Sequence, residues 1–190
     1  ISIVIPTKNE EKNIKTLVEQ IAHSGIPQQF EMIVVDDGND STAKIAGEIG
    51  CRVIRGKSKG LGQAILDGIE TSQGDIIVVI DADLSHNPKS IVELVKPIIE
   101  HGYDMSVGSR YAKGGSSVDW EFSRRLISRS ACLLALPITS IKDATSGFFA
   151  FRRTIINGIK LEASSWKIML EILLKARPMR VKEVPIVFEV

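Results

Sequence analysis

Apolar residues in the first half of the chain alternate between short unbroken runs and stretches spaced three and four apart. Residues 1–6 form a β-branched run, after which Ile14, Leu17, Val18 and Ile21 recur at helical spacing and Gly25 closes the segment. Residues 31–36 form a second run, ending in the turn residues Asp37-Gly38-Asn39-Asp40 with Ser41 or Thr42 as N-cap of a short helix to Ile49. Residues 51–54 predict a third strand, and Gly60-Leu61-Gly62 leads into a helix carrying Ala64, Ile65 and Ile69 on one face. Residues 75–80 read as a strand buried on both faces of a parallel sheet, and Pro88 opens the next helix. The second half is less regular. It predicts strands at 103–109, 147–152 and 184–188 and helices at 122–136 and 164–176.

Strands and helices alternating through short links imply an α/β fold, an open twisted and mostly parallel sheet flanked by helices. Its ligand site is expected beyond the carboxyl ends of the strands. Those ends read Pro6-Thr7-Lys8, Asp36-Asp37-Gly38 and Asp81-Ala82-Asp83, which puts up to four carboxylates on one rim.

Composition narrows the class. The chain has 190 residues, 44% hydrophobic and 25% charged, the size and make-up of one globular domain without repeats or linkers. Cys51 and Cys132 lack metal-ligand spacing, so neither a disulfide framework nor a zinc site is expected, and a reducing compartment fits. No run approaches 18 apolar residues, and the first residues lack the charged start of a signal peptide. The net charge of +1 conceals an asymmetry: residues 1–95 carry 9 Lys/Arg against 14 Asp/Glu, and residues 96–190 carry 15 against 9. A nucleic-acid binder would show one dominant basic field, whereas this division suits a metal site facing an anion site.

Asp81-Ala82-Asp83 places two carboxylates at i and i+2 after a buried strand, an arrangement that calls for a cation between them. Mg²⁺ or Mn²⁺ held mainly through substrate phosphates is the simplest partner, and a solvated turn with Asp83 as a helix cap is the alternative. Asp36-Asp37-Gly38 reads as a ribose or base contact or as an Asx turn, and Gly60-Leu61-Gly62 as a phosphate approach or a helix-entry turn. Arg124, Arg125, Ser128 and Arg129 repeat at one-turn spacing beside an apolar stripe, which suits an anionic membrane surface, a lipid phosphate or an ordinary solvated helix. Arg110 ends its strand on the same rim as the aspartates, as a phosphate ligand would. His23, His86 and His101 have no ligand spacing and read as surface or capping residues, and Trp120 and Trp166 read as core or membrane-edge anchors.

In order along the chain, Ile5-Pro6-Thr7-Lys8-Asn9-Glu10, Val34-Val35-Asp36-Asp37-Gly38, Lys59-Gly60-Leu61-Gly62 and Asp81-Ala82-Asp83-Leu84-Ser85-His86 resemble family 2 glycosyltransferases with the GT-A fold. Gly108-Ser109-Arg110-Tyr111, Ser123-Arg124-Arg125 through Arg129, and Asp143-Ala144-Thr145-Ser146-Gly147-Phe148 narrow the resemblance to dolichol-phosphate mannose synthases and close polyprenyl-phosphate hexosyltransferases. It implies one catalytic domain over residues 1–190, with 1–95 serving nucleotide sugar and metal and 96–190 the acceptor.

By that resemblance Pro6, Lys8, Glu10, Val35 and Asp37 line the nucleotide pocket. Asp81, Ala82 and Asp83 hold metal and diphosphate, and Ser85 completes the metal shell, directly or through water. Arg110, Arg124 and Ser128 grip the acceptor phosphate, Lys167 reaches the donor sugar or its phosphate, and Asp143 shapes the acceptor side. The implied reaction is inverting transfer of mannose from GDP-mannose to dolichyl or another polyprenyl phosphate, with Mg²⁺ or Mn²⁺. It would run at the cytoplasmic face of a membrane, with this chain peripheral. Family members continue past Phe188 with a further arginine and a Gly-x-Ser-Lys segment, and many append transmembrane helices. Three alternatives stay open: a polyprenyl-phosphate glucosyl or N-acetylhexosaminyl transferase using a UDP-sugar, a Mg²⁺-binding phosphoacceptor domain, and a non-catalytic nucleotide-sugar sensor.

Overall fold

In a computed structural model, residues 1–118, 129–130, 132–133, 139–162 and 167–189 are described. Three strand-helix units open the chain: β1 (Ser2–Thr7), α1 (Ile14–Ala22), β2 (Glu31–Asp36), α2 (Thr42–Glu48), β3 (Arg52–Arg55) and α3 (Leu61–Thr71). Next come β4 (Ile76–Val79), α4 (Ser90–His101), β5 (Met105–Ser109) and the short β6 (Ser116–Val118). After β7 (Phe149–Arg152) and a 3₁₀ turn (Arg153–Ile156), α5 (Ile168–Ala176), β8 (Val181–Pro185) and β9 (Val187–Glu189) complete the described elements.

Seven strands form one sheet in the order β3-β2-β1-β4-β7-β5-β8. Pairings from β3 to β4 are parallel, as is β5 with β8, and β7 alone runs antiparallel to both its neighbours. Two reversals about β7 turn β5 back to the direction of β4. The carboxyl ends of β1, β2, β4 and β5 therefore share one rim, as the sequence predicts for Asp36, Asp81 and Arg110. Chain order reverses between β1 and β4, which makes that gap the topological switch point where a ligand crevice opens.

Both faces of the sheet are covered. On one side Ile14, Leu17, Val18 and Ile21 of α1 and Ile91, Leu94, Val95 and Ile98 of α4 pack on Ile3, Ile5 and Val78; on the other, Ile65 and Ile69 of α3 and Ile168, Met169 and Ile172 of α5 pack on Val4, Ile77 and Phe149. This two-sided burial is why β1 and β4 read as unbroken apolar runs.

The structure departs from the sequence-based expectation in four places. The expected strand at 184–188 is two strands split at Ile186, and β9 leaves the main sheet to pair with β6, which the sequence did not reveal. Ser41 stands at the N-cap of α2 as expected, but its side chain makes no capping hydrogen bond; Asp40 Oδ1 instead accepts from the Thr42 amide (3.0 Å) and hydroxyl (2.6 Å). The helix opened by Pro88 starts at Ser90, after an Asx turn in which Asn87 Oδ1 accepts from the Lys89 amide (3.0 Å). Of the two later helices, Arg129, Ser130, Cys132 and Leu133 are helical and α5 begins at Ile168, while Trp120, Arg124, Arg125, Ser128 and Trp166 lie outside the described residues.

Candidate active site

The crevice at the switch point is a cleft of about 610 Å³ lined by Pro6, Lys8, Glu10, Asp37, Asn39, Ser58, Gly60, Asp81, Ala82 and Asp83, among others. The ends of β1, β2 and β4 build it, together with the loop entering α3. Lys8 and Asp83 are exposed, Glu10 and Asp81 half-buried. Glu10 is steadied on both sides, its amide donating to Thr42 Oγ1 (2.8 Å) and its carboxylate accepting from Asn13 Nδ2 (2.9 Å). Asp37 Oδ1 accepts from the Ser58 amide (2.8 Å), so it fastens the β3–α3 loop while lining the cleft.

Its neighbour Asp36 has a different job. Buried at the end of β2, it accepts from Thr7 Oγ1 (2.9 Å) and the Gly38 amide (3.2 Å) and pairs with Arg55 (3.3 Å), which ties β1, β2 and β3 together beneath the rim. Val35 is fully buried against Ile33 and Ala64, so it supports the cleft floor rather than lining the pocket as expected. Lys167 stands at the N-cap of α5 and is not among the residues lining the cleft.

Asp81 sits low in the cleft. Burial, with the charges of Asp83 and Glu10, raises its pKa from 3.8 to about 7. An ionised Asp81 beside Asp83 is costly unless a cation or a proton offsets its charge. Leu84, between Asp83 and Ser85, takes a left-handed conformation (φ 63°), a backbone state that costs a non-glycine residue of order 1–3 kcal/mol. In the turn so formed the Ser85 amide donates to Asp83 Oδ1 (3.0 Å). Ser85 Oγ is buried with no hydrogen-bond partner among the described residues, an orphan oxygen in the turn that follows Asp83. No three His, Cys, Asp or Glu side chains converge as a ligand set among the described residues. The residues present therefore fit a hard divalent ion that takes one or two carboxylates from the protein and its other oxygens from substrate and water.

A second cavity, of about 580 Å³, opens beside the end of β5 and is lined by Arg110, Tyr111, Arg129, Leu133 and Lys142, among others. Arg110 is buried, and Asp143, 33 residues away, receives it in a fork. Asp143 Oδ2 accepts from Arg110 Nε (2.8 Å) and its amide (3.0 Å), and Oδ1 accepts from Nη2 (2.7 Å). Burial opposes the arginine's charge, but hydrogen bonding and attraction to Asp143 outweigh it and raise its pKa. The guanidinium also lies 5.4 Å from the ring centres of both Tyr111 and Phe188. This fork is what sequence reasoning missed most plainly. Asp143 has an expected place on the acceptor side, but no local spacing relates it to Arg110.

Between cleft and cavity stand His86 and the chain's last described strand. His86 stacks on Phe148 and meets Phe188 edge-on, each at 5.1 Å. Burial lowers its pKa to about 4, so it is neutral at pH 7. The Glu189 amide donates to the Ser85 carbonyl (3.0 Å), which pins β9 to the loop carrying Asp83 and Ser85. His86, read from sequence as a surface or capping residue, is thus an interior packing element.

Solved structures share this architecture. Mannosyl-3-phosphoglycerate synthase from Rubrobacter xylanophilus superposes with a TM-score of 0.78 at 22% identity, over 99% of this chain and 65% of that one. Glucosyl-3-phosphoglycerate synthase from Mycobacterium tuberculosis, in complex with Mn²⁺, UDP and glucosyl-3-phosphoglycerate, superposes with a TM-score of 0.73 at 23% identity, over 100% and 70%. These likenesses establish the GT-A fold. In sequence the chain is 40% identical to the dolichol-phosphate mannosyltransferase of Pyrococcus furiosus, over 99% of its length and 56% of that protein's. It is 32% identical to the enzyme of the same description from Saccharomyces cerevisiae (92% and 70%) and 34% identical to the polyprenol monophosphomannose synthase of Mycolicibacterium smegmatis (85% and 64%). The chain thus spans little more than half of the Pyrococcus relative. Residues 2–159 match the profile of Glycosyl transferase family 2, and with these identities the chain belongs to that family.

Proposed function

We propose that this chain is the catalytic domain of a polyprenyl-phosphate mannosyltransferase, moving mannose from GDP-mannose to the phosphate of dolichol or a related polyprenol with inversion at the anomeric carbon. The observation that carries the reading is the pairing on one rim of a carboxylate-floored cleft with a cavity lined by Arg110, Arg129 and Lys142. A nucleoside diphosphate leaving group needs the first and a phosphate nucleophile the second. The descriptions of the sequence relatives supply the sugar and the lipid class.

Pro6, Lys8, Glu10 and Asp37 surround the nucleotide, with Val35 beneath it, and Ala82 with Asp81 and Asp83 meets the diphosphate. Mg²⁺ or Mn²⁺ on Asp81 and Asp83, with Ser85 beside them, would offset the charge that grows on the departing diphosphate. Lys167 reaches toward the donor when the nucleotide sugar is bound. The acceptor phosphate is already ionised at neutral pH, so no strong general base is required and its oxygen attacks directly. Arg110, with Arg124 and Ser128 from the segment outside the described residues, holds that anion in line against its repulsion from the donor. Because Asp143 already balances the charge of Arg110, Arg129 and Lys142 supply the net positive field of the cavity. The lipid acceptor puts the reaction at a membrane surface, and the proposed side of it is the cytoplasmic face. Among the described residues no helix is long and apolar enough to cross a membrane.

The test is a donor-by-acceptor assay offering GDP-mannose and UDP-glucose to dolichyl and undecaprenyl phosphate, with Mg²⁺, Mn²⁺ or chelator, followed by extraction of the lipid product. Mannolipid formed only with metal is the expected outcome; glucolipid instead would transfer the reading to the UDP-sugar alternative. Asp83→Ala is expected to cut turnover at least 100-fold while its circular dichroism spectrum and melting stay close to those of the parent, because a rim carboxylate contributes little to the core. Wild-type rates in that variant would remove the metal assignment.

A further inference from the structure

The two halves of the site touch one short turn. Asp143 begins it, fully buried, with its carboxylate forked onto Arg110. Its own amide donates to Glu183 Oε1 (3.1 Å), the same oxygen that accepts from Ser109 Oγ (2.7 Å), so β5 and β8 grip the turn at its start. Thr145 Oγ1 accepts from Arg110 Nη2 (3.3 Å), and the Ser146 amide closes back onto the Asp143 carbonyl (3.3 Å). Gly147 then passes so near Asp81 that a Cβ built on it would lie 2.3 Å from Asp81 Oδ2 and 3.1 Å from its Cγ. Phe148 anchors the far end, its carbonyl accepting from the Gly108 amide (2.8 Å) and its ring stacked on His86.

We propose that the 143–147 turn is the spacer that sets the distance between the two reacting partners: Asp143 positions the acceptor arginine Arg110, and the bare backbone of Gly147 positions Asp81. The physical reason is stiffness. A bidentate arginine-carboxylate pair leaves a buried guanidinium little rotational freedom, and a backbone in van der Waals contact with a carboxylate leaves it no room to swing away from the cleft. Both contacts belong to five consecutive residues, tied at their start to β8 through the Asp143 amide on Glu183 and at their far end to β5 through the carbonyl of the next residue, Phe148, so neither side can shift without the other feeling it. In-line transfer depends on the separation of nucleophile and leaving group, and a fixed spacer supplies that at no further cost on binding. Asp143 and Gly147 are thus positioning residues for the same site as the proposed function, and the inference about Arg110 as acceptor ligand rests on that reading.

Two measurements on the purified protein decide it. The first is a melting cycle without ligand or turnover: Gly147→Ala is expected to lower the melting temperature by at least about 4 °C in the parent but by less than about 1 °C in an Asp81→Ala background, where the carboxylate it would strike is gone. Equal losses in both backgrounds would overturn the Gly147 contact. If Gly147→Ala alone does not fold, recovery of a folded protein by Asp81→Ala is the same result in stronger form.

The second is steady-state kinetics of Asp143→Asn, in which one oxygen of the fork becomes a donor facing the guanidinium. Its acceptor KM is expected to rise at least tenfold, while the donor KM and Mn²⁺ binding, followed by electron paramagnetic resonance in the presence of GDP, stay within twofold. A uniform loss in all three would make Asp143 merely structural and overturn its role. Should the wild-type protein transfer no sugar to any polyprenyl phosphate, the proposed function falls, and the melting cycle still decides whether the turn braces Asp81.

Discussion

At the scale of single residues, the site is a set of side chains kept in expensive states. Asp81 carries a raised pKa because burial and its acidic neighbours work against its charge, and Leu84 accepts a left-handed backbone so that Asp83 and Ser85 share one turn. The sign of the Asp81 effect on stability follows from linkage: a carboxyl whose folded pKa lies above its unfolded value binds protons more tightly in the fold. The metal-free protein is therefore favoured below about pH 4 and loses that contribution as pH rises through about 7. Asp81→Asn is expected to melt higher than the parent at pH 7.5 without metal, by a few degrees, and level with it at pH 4. The magnitude is on the order of 1 kcal/mol, because the cleft is open to water. Parallel melting profiles of the two proteins from pH 4 to 8 would refute it. The same ionisation governs metal, so Mn²⁺ affinity should fall as pH drops below 7. Asp81 and Asp83 were legible from sequence as rim carboxylates because they follow directly on a buried apolar run, whereas the pair alone left a solvated turn open. Asp143 had only a family-based role, since its partner is remote in the chain.

At the scale of elements, the short pieces decide most. β9 spans only three residues, yet Phe188 packs on His86 and Arg110 and the Glu189 amide holds the Ser85 carbonyl. Phe188→Ala is expected to destabilise the protein by about 2 kcal/mol, less than for a fully buried aromatic since this one is only half-buried. Mn²⁺ binding in the presence of GDP should also weaken several-fold as the Ser85 loop loosens. Thermal melting with a Mn²⁺ titration checks both, and an unaltered Mn²⁺ constant would show that β9 braces the fold alone. The long helices and buried strands were legible because their periodicity is repeated over two or three turns. β6 and the break at Ile186 were not, since three exposed or half-buried residues carry no period and the pairing of β6 with β9 joins positions about 70 residues apart.

At the scale of the whole molecule, the acidic first half meets the basic second half across one rim, because β7 reverses direction between β4 and β5 and so returns Arg110 to the side of Asp81. Donor and metal should therefore tighten the fold together. Saturating Mn²⁺ with GDP is expected to raise the melting temperature by several degrees, and Mn²⁺ alone by less, as mass action at a site shared by ion and diphosphate requires. A calorimetric scan checks this; an equal rise with GDP plus chelator would mean that the nucleotide binds without the ion. The sequence by itself determined the α/β class, the strands of the acidic half, the rim carboxylates and the family, because burial on both faces and turn chemistry are local and leave periodic marks. Only the tertiary structure decided which rim residues line the cleft and which lie beneath it, the fork of Asp143 on Arg110, the seat of His86 between two phenylalanines and the closeness of Gly147 to Asp81. Each of those depends on distances between residues far apart in the chain, and such distances are set by sheet order and packing rather than by any neighbour in sequence.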